Sequence, residues 1–595
     1  MSRYAIGIDL GTTHSALSYL SLEATAGRGA QQAVLPIPQL LSPGSVEPRQ
    51  LLPSFLYLAA AAEFPAGSLA LPWAPTLGEI TGEFARAHGA KVPTHLVASA
   101  KSWLCHPTVD RRAAILPWQA PADVTKVSPV TASAKYLEHL RQAWDREFPD
   151  APLAKQDVVL TVPASFDAAA RDLTLEAAVQ AGLPNVTLLE EPQAALYAWL
   201  EAMGEGWRKQ VKPGDVLLCV DVGGGTSDFS LIGVTEVGGT LQLERLAVGD
   251  HILLGGDNMD LALAYAVNEK LKGQGKTLDP WQMNALTFAC RVAKETLFES
   301  PKLTRAPVTV PGRGSSLIGG ALKSEVTREE LTSLLTDGFF PKTTIEELPA
   351  QARRSGLAQV GLPYAQDAAV SRHLAAFLTR QGASLGGGST FAKPTAVLFN
   401  GGVFRAAPLK SRVLEVLNAW LTAAGAPAAR ELSGGDLDLA VARGAAHYGW
   451  VKNGHGLRIR GGTARAYYVG IESATLAVPG FTPPVKALCV APFGMEEGTQ
   501  ADVPPQEFGL VVGEPTQFRF FSSTTRRDDK VGDLIEDAKV LEELPPIETA
   551  LTGAAGALVP VNLQAAVTEL GALEVRAVER AGAGKWKLEL NVRSE

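Results

Sequence analysis

Two short turns carry the residues best suited to chemistry. The first is Asp9-Leu10-Gly11-Thr12-Thr13, which follows the apolar run Tyr4 to Ile8. The second is Asp221-Val222-Gly223-Gly224-Gly225-Thr226, which follows Val216 to Val220. Gly-rich backbone lets N–H groups approach a polyanion closely. Threonine hydroxyls add donors without charge, and an Asp at a strand end can hold Mg²⁺ directly or through water. One such turn is common in α/β proteins. Two of them, each behind a buried strand ending in Asp, can grip a triphosphate from both sides with one metal between. Two structural hairpins would have the same spacing. Setting Asp9 on Asp221 aligns IGIDLGTTHSAL with LCVDVGGGTSDF, a strand, an Asp, a Gly-rich turn with Thr and a strand in both, which suggests two related halves.

Strands and helices alternate around these turns, the pattern of an α/β domain. Ser15 to Leu20 reads as the return strand of the first turn, and Ala24 to Gln50, rich in Gly, Pro, Gln and Ser, as loop. Asp157 to Val162 is a buried strand ended by Pro163. Asp167 N-caps a helix to about Ala181, and Gly182 and Pro184 stop it. Val186 to Leu189 is a strand, and Pro192 sits at the start of the next helix, where its missing N–H costs nothing. AVLF leads through Asn400-Gly401-Gly402 into a helix over Leu409, Val413, Leu417 and Trp420. Near Lys452 the composition turns basic and Gly-rich. Beyond it, Trp586, Leu588, Leu590 and Val592 alternate with polar residues as a half-buried strand, paired with Leu573 and Val575.

The chain has 595 residues, net charge −8 and 46% hydrophobic residues against 19% charged. That balance excludes a disordered chain and argues against a general nucleic-acid binder. The length calls for two or more domains. Four cysteines without CxxC spacing point away from a disulfide framework. The scattered histidines form no metal-ligand pattern. MSRYAIGIDLG lacks a signal-peptide core, and the longest charge-free run, Thr549 to Thr568, is broken by Gly and Pro. The expectation is a cytoplasmic protein without a membrane partner.

The motifs resemble the nucleotide-binding domain of Hsp70-type chaperones, which share the actin and sugar-kinase fold. The stretches are GIDLGTTHS (7–15), VVLTVPASFDAAARDLTLEAAVQAGL (158–183), LLEEPQAALYAW (188–199), VDVGGGTSDFSL (220–231), LGGDNMD (254–260), NGGVFRAAPL (400–409) and DLDLAVARGAA (436–446), in the family's order. The resemblance implies an α/β, actin-like, bilobed nucleotide-binding domain over 1–452, with a helical insertion over 331–390 ending in Gly386-Gly387-Gly388. A linker over 453–466 and a small β domain over 467–595, similar to the Hsp70 substrate-binding β-sandwich, would follow. It implies ATP or ADP with Mg²⁺ as cofactors. Asp9 and Asp221 would organise the metal. Gly11, Thr12 and Thr13 would hold one side of the phosphates, and Gly223, Gly224, Gly225 and Thr226 the other. Glu191 and Asp228 would sit near the attacking water. Gly255, Gly256, Lys294, Gly401 and Gly402 would line the nucleoside, with Arg405 near the adenine and Asp438 at the closing wall. Pro163 and Arg171 match the pair that relays nucleotide state to the second domain.

Some positions depart from the family. Its γ-phosphate lysine falls, ungapped, on Arg86 in GEFAR, and a guanidinium fork is no substitute for a compact ammonium. In ACRVAKETLF (289–298), Arg291, Glu295 and Phe298 replace the usual acidic, basic and small residues. His14 stands for a common Asn, where a turn-bracing role is expected. The chain stops at Glu595 directly after the last strand, so the expectation is that no helical lid follows. Phe518, Phe520 and Phe521 are either a peptide pocket or sandwich core, with core favoured.

Three functions follow. The first is an Hsp70-like chaperone or switch with slow Mg-dependent ATP hydrolysis, binding unfolded or extended polypeptide and a co-chaperone or exchange factor. The second is a nucleotide-sensing pseudo-ATPase scaffold that recruits partners without turnover. The third, disfavoured for want of a sugar pocket, is a small-molecule kinase of the same superfold.

Overall fold

The computed structural model describes the chain apart from residues 1, 24–30, 61–62, 238–239, 313–320, 351–360, 383–389, 433, 456–462, 464, 473–484, 496–497, 505–507, 524–525, 527, 569–571 and 592–595. It forms two compact units, one of residues 1–234 with 248–458 and one of 235–247 with 459–595.

The first unit holds two sheets built on one plan. In the first, the strands Val186–Glu190, Asp157–Val162, Tyr4–Leu10, His14–Ser21 and Ala33–Val34 lie side by side in that order. In the second, Ser227–Val237, Val216–Val222, Ala396–Asn400 and Arg430–Glu431 run in order. Each centres on an antiparallel hairpin flanked by a parallel strand. The register repeats as well, because Asp9 faces Ala16 as Asp221 faces Asp228. The sequence alignment of the two turns is therefore a structural one.

Small residues bring the functional ends of three elements together. A Cβ on Gly7 would collide with the Ala442 carbonyl and the Ala446 N–H, and one on Gly444 with the Ala194 carbonyl. The helix Ala440–Lys452 therefore lies directly against the Tyr4–Leu10 strand and the helix Glu191–Met203. Asp9 near the end of that strand, Glu191 at the start of that helix and Asp438 just before the other are ordered as a consequence. At the opposite end of the first strand, Tyr4, Tyr19, Trp144 and Phe148 pack ring against ring at 4.2–5.9 Å between centroids. They seat the helix Pro129–Glu147 on the hairpin.

The expected helix after Pro163 runs Ala168–Gln180, with the Asp167 carboxylate accepting from the Ala170 N–H at 2.7 Å. Asp167→Ala removes that cap and should cost about 1 kcal/mol of stability, read as a lower urea midpoint with an unchanged slope.

The loop expected over Ala24 to Gln50 is corrected. Residues 24–30 lie outside the described part, but Ile37–Ser42 and Ser45–Arg49 form a hairpin turning at Gly44, whose φ is 80°. Turn-forming composition masked the fully buried Ile37 and Leu40, which anchor the hairpin. The helical insertion expected over 331–390 is likewise revised. One helix, Arg328–Phe339, begins before it, and a second spans Val370–Gly382. The described residues 340–350 and 361–369 between them are non-helical. Gly386 to Gly388 and most of the expected linker lie outside the described residues.

The second unit holds two further sheets. One orders Leu534–Ile535, Lys486–Ala491, Ala466–Ile471, Pro515–Ser523 and Glu542–Ala550. The other orders Thr499–Asp502, Ala557–Val567, Ala572–Glu579 and Lys585–Asn591, with Phe508–Val512 also on Ala557–Val567. One apolar core draws on both, including Val469, Leu488 and Phe520 from the first and Val561, Val575 and Leu588 from the second. Alternation along a strand sends neighbours to opposite faces. Phe520 accordingly enters this core, whereas Phe521 joins a separate cluster with Tyr468 and Cys489. Phe518 packs against the first core, so these rings are core residues.

Candidate functional site

A cleft of about 1090 Å³ in the first unit is lined by both turns. The turns touch there. A Cβ on Gly224 would overlap the Thr13 side chain, and one on Gly225 would come within 2.7 Å of Thr12 Cγ2. The start of the helix Gly256–Gly273 is laced to the second turn: Gly256 N–H donates to the Gly223 carbonyl at 3.0 Å and Asp257 N–H to the Gly224 carbonyl at 2.7 Å. Gly401, at φ 88°, lies where a Cβ would meet the Val222 carbonyl. Its neighbour Asn400 donates Nδ2 to Asp221 Oδ2 at 2.6 Å. The glycines thus serve close backbone approach as much as turn geometry.

Three carboxylates and one ammonium occupy the floor. Lys101, 6% exposed, pairs with Glu191, 14% exposed. Burial and the Glu191 charge push Asp9 up to about 7, although Lys101 opposes them. Burial and Glu191 likewise raise Asp221 well above the usual carboxylate range. Lys101 is held above the usual ammonium value because Glu191 and Asp9 outweigh its burial. Like charge and burial act together on both aspartates, and either a proton or an added cation would relieve them.

Of the sequence-predicted residues, Asp9, Gly11, Thr12, Thr13, Arg86, Glu191, Asp221, Gly223, Gly224, Thr226, Gly256, Lys294, Gly401, Gly402, Arg405 and Asp438 line this cleft. Arg86 is not where it was expected. It lies on the helix Glu83–Gly89 and binds Glu83 Oε2 at 2.8 Å. The cation beside Glu191 is Lys101, because the short helix Ala100–Trp103 turns its side chain inward. The ungapped count to Arg86 overlooked the segment between the two residues. The lysine in SAKSWL, a single charge in an otherwise uncharged segment, was the available signal.

Asp228 also differs. Its carboxylate accepts from Ser165 Oγ at 2.6 Å and faces His251 at 3.4 Å. Burial pushes this carboxyl up, but the His251 charge and hydrogen bonds from His251, Ser165 and Thr226 hold it below its ordinary value. Its charge still acts on Lys101 and Asp221. Sequence reading missed Ser165, His251 and Asn400, whose roles depend on contacts distant in the chain. Arg171 lies behind the cleft, 3.4 Å from the Ala164 carbonyl and 3.7 Å from Glu190. Pro163, between the strand Asp157–Val162 and this turn, is not among the lining residues.

A second group of charges along the cleft is paired internally. Arg291 binds Asp257 and, at 2.6 Å, Asp260; Lys294 binds Asp260 at 2.7 Å. Arg405 binds Asp438 at 3.0 Å and Glu299 at 3.2 Å. His14 meets Thr13 Oγ1 at 3.3 Å. Burial, then the Arg86, Arg291 and Arg405 charges, push His14 down to about 3, so it is neutral and braces the turn. Trp281 Nε1 donates to the Lys91 carbonyl at 2.8 Å, joining the cleft-lining helix Pro280–Glu299 to the segment after Glu83–Gly89.

Among the described residues, no group of three His, Cys, Asp or Glu is arranged to hold a metal, and no helix is long and apolar enough to cross a membrane.

Residues 80–349 match the family model described as Hsp70 protein. The chain is 31% identical over 352 residues to a "Chaperone protein HscA homolog" of Acidovorax sp. (strain JS42), covering 56% of this chain and 47% of the relative. It is 33% identical over 312 residues to the homolog of Burkholderia multivorans, covering 50% and 43%. With the homolog of Methylococcus capsulatus it shares 32% identity over 362 residues, covering 60% and 50%. The chain thus spans about half the length of these curated relatives. Over residues 80–349 the chain is thus similar to the Hsp70 family, and the two-turn cleft that this region helps to build agrees with that similarity.

Proposed function

We propose that this cleft binds Mg²⁺–ATP and hydrolyses it slowly, and that the bound nucleotide controls the capture of extended polypeptide by the β unit. The observation that carries this reading is the contact of the two glycine turns beside a buried Lys101–Glu191 pair, with Asp9 and Asp221 on either hand. The relatives are chaperone proteins by name, which agrees with it.

The residues present fit a magnesium ion. Asp9 and Asp221 are buried carboxyls raised by like charge, which a divalent cation would relieve. Two carboxylates, phosphate oxygens and water make a usual Mg²⁺ shell. When bound, the ion neutralises phosphate charge and orients the polyphosphate. The protein's own residues do the rest. Backbone N–H groups and Thr12, Thr13 and Thr226 hold phosphate oxygens. Lys101 stabilises charge developing on the terminal phosphate, and Glu191 orients the attacking water. Arg86, paired with Glu83, adds positive potential to the outer cleft. A lysine beside Glu191 answers one of the two grounds for expecting a cleft without turnover; the altered residues Arg291, Glu295 and Phe298 are the other.

Arg171, tied to the turn after Pro163 and to Glu190, is the proposed relay from the cleft. Polypeptide capture and a co-chaperone or exchange factor are proposed as partners, in the cytoplasm. The edge strand Glu542–Ala550 carries Pro545, Pro546 and three glutamates. Such an edge resists strand addition, so capture is assigned elsewhere on the unit.

The test is titration of ATP and ADP with and without Mg²⁺, followed by single-turnover hydrolysis of the same sample. Wild type should bind both nucleotides more tightly with Mg²⁺ and hydrolyse ATP. Asp221→Asn should abolish turnover while leaving thermal unfolding in place; unchanged turnover overturns the assignment.

A further inference from the structure

Asn400 ends the strand Ala396–Asn400, all of whose residues are buried. Parallel pairing sets it in register with Asp221. The chain then turns at Gly401, where a Cβ would come within 2.3 Å of the Val222 carbonyl oxygen and 2.8 Å of Asp221 Oδ1. Strand register and this close turn together hold the Asn400 carboxamide against Asp221. Nδ2 donates to Asp221 Oδ2 at 2.6 Å, and the residue is 2% exposed. The neighbour sets the orientation of the amide, because an amide oxygen in that place would face the lone pairs of a carboxylate. The oxygen is therefore turned away from Asp221. Oδ1 is shielded from solvent and has no hydrogen-bond partner among the described residues. A buried acceptor without a donor is rare and calls for a specific explanation. Asn400 is also one of the residues that line the cleft.

The first half of the unit offers a comparison. Leu160 is the register partner of Ile8, so Thr161 comes next to Asp9. The Thr161 hydroxyl is fully buried and lies 3.4 Å from both the Ile8 carbonyl and Asp9 Oδ1. Each aspartate of the two turns thus has a polar neighbour on the adjoining parallel strand. Of the two neighbours, Asn400 is the one that brings a carboxamide oxygen with no donor.

The chemistry of Oδ1 narrows what can satisfy it. Lys101, the ammonium on the cleft floor, is committed to Glu191. A phosphate oxygen carries no proton and would repel another acceptor. A nucleoside hydroxyl, a base N–H or a water held by a cation would each donate. The water fits best, because Asn400 grips one of the two carboxyls assigned to Mg²⁺, an ion that keeps several of its waters. A water bound to a cation is also acidified, which makes it the stronger donor.

On the Mg²⁺–nucleotide reading of the cleft, we propose that Asn400 is a positioning residue for the metal. Nδ2 fixes the Asp221 carboxylate, and Oδ1 accepts a hydrogen bond from a water of the hydrated ion. The carboxamide suits both tasks, since it presents one donor end and one acceptor end and does not titrate.

Calorimetry on the full chain tests this, with ADP affinity measured in excess Mg²⁺ and in EDTA. The readout is the ratio of the two affinities. Asn400→Leu is similar in volume and removes both polar ends. Its ratio should fall about tenfold, the usual cost of losing a partner that orients a metal's ligands, while its affinity in EDTA changes less than about threefold. A nucleoside bond to Oδ1, or a cleft merely distorted by the substitution, lowers both affinities alike and leaves the ratio unchanged; that result overturns the proposal. Asn400→Asp keeps an oxygen in place of Oδ1 and loses the N–H donor. Its ratio should equal or exceed that of wild type, and a fall to the Asn400→Leu value overturns the role of Oδ1. If Asn400→Leu does not fold, the Asn400→Asp result decides. A wild-type ratio of one overturns the metal reading of the cleft itself. A wild-type ratio above one that Asn400→Leu leaves intact overturns the role of Asn400 alone.

Discussion

Lys101→Met should lower single-turnover ATP hydrolysis by about 10²–10³-fold, the usual cost of removing one donor aimed at developing charge. Arg86→Ala should change it by no more than about threefold. The contrast follows from placement. Lys101 is nearly fully buried against Glu191, where a charge acts with little screening, whereas Arg86 is paired with Glu83 on its own helix. Removing Lys101 also strands Glu191, and breaking a buried pair costs about 3–5 kcal/mol. The double variant Lys101→Met/Glu191→Gln removes both charges and should recover thermal stability without recovering turnover. Nucleotide affinity in the single variant should stay within about tenfold, because the turns still hold the phosphates. A large loss in Arg86→Ala with none in Lys101→Met would reverse the assignment of the two cations.

Gly224→Ala should weaken Mg²⁺–ATP binding by about 10²-fold, measured by calorimetry, while leaving the thermal midpoint near wild type. The new methyl group would overlap the Thr13 side chain, so one turn must withdraw from the other. Overpacking of this kind costs about 1–3 kcal/mol, and here it falls on the contact that holds both turns to one ligand. Thr13→Ala deletes Cγ2 and Oγ1 and leaves Cβ 2.9 Å from the inserted methyl. The double variant should bind more tightly than Gly224→Ala alone, a positive coupling between residues far apart in sequence. Strict additivity would mean that the two turns do not press on each other when nucleotide is bound.

Local signals made much of the fold legible. The Asp157–Val162 strand, the Asp167 cap, the Glu191-Pro192 helix start and the terminal hairpin each depend on residues within a few positions of one another. The likeness of the two turns was legible too, since a glycine required for backbone approach is visible as a glycine. The hairpin at 37–49 escaped because polar and turn-forming residues surround its two buried anchors, Ile37 and Leu40.

What the sequence by itself determined was the kind of site: two Asp–Gly–Thr turns behind buried strands, with Glu191 at a helix start. These are properties of short segments, set by backbone conformation and strand period. The tertiary structure alone decided which cation meets Glu191 and which way Asp228 faces. Lys101 and Glu191 lie on separate elements, brought together by packing. Asp228 is held by Ser165 and His251, two residues on different loops. A charge in a protein is defined by its neighbours across the fold, and no spacing along the chain specifies them.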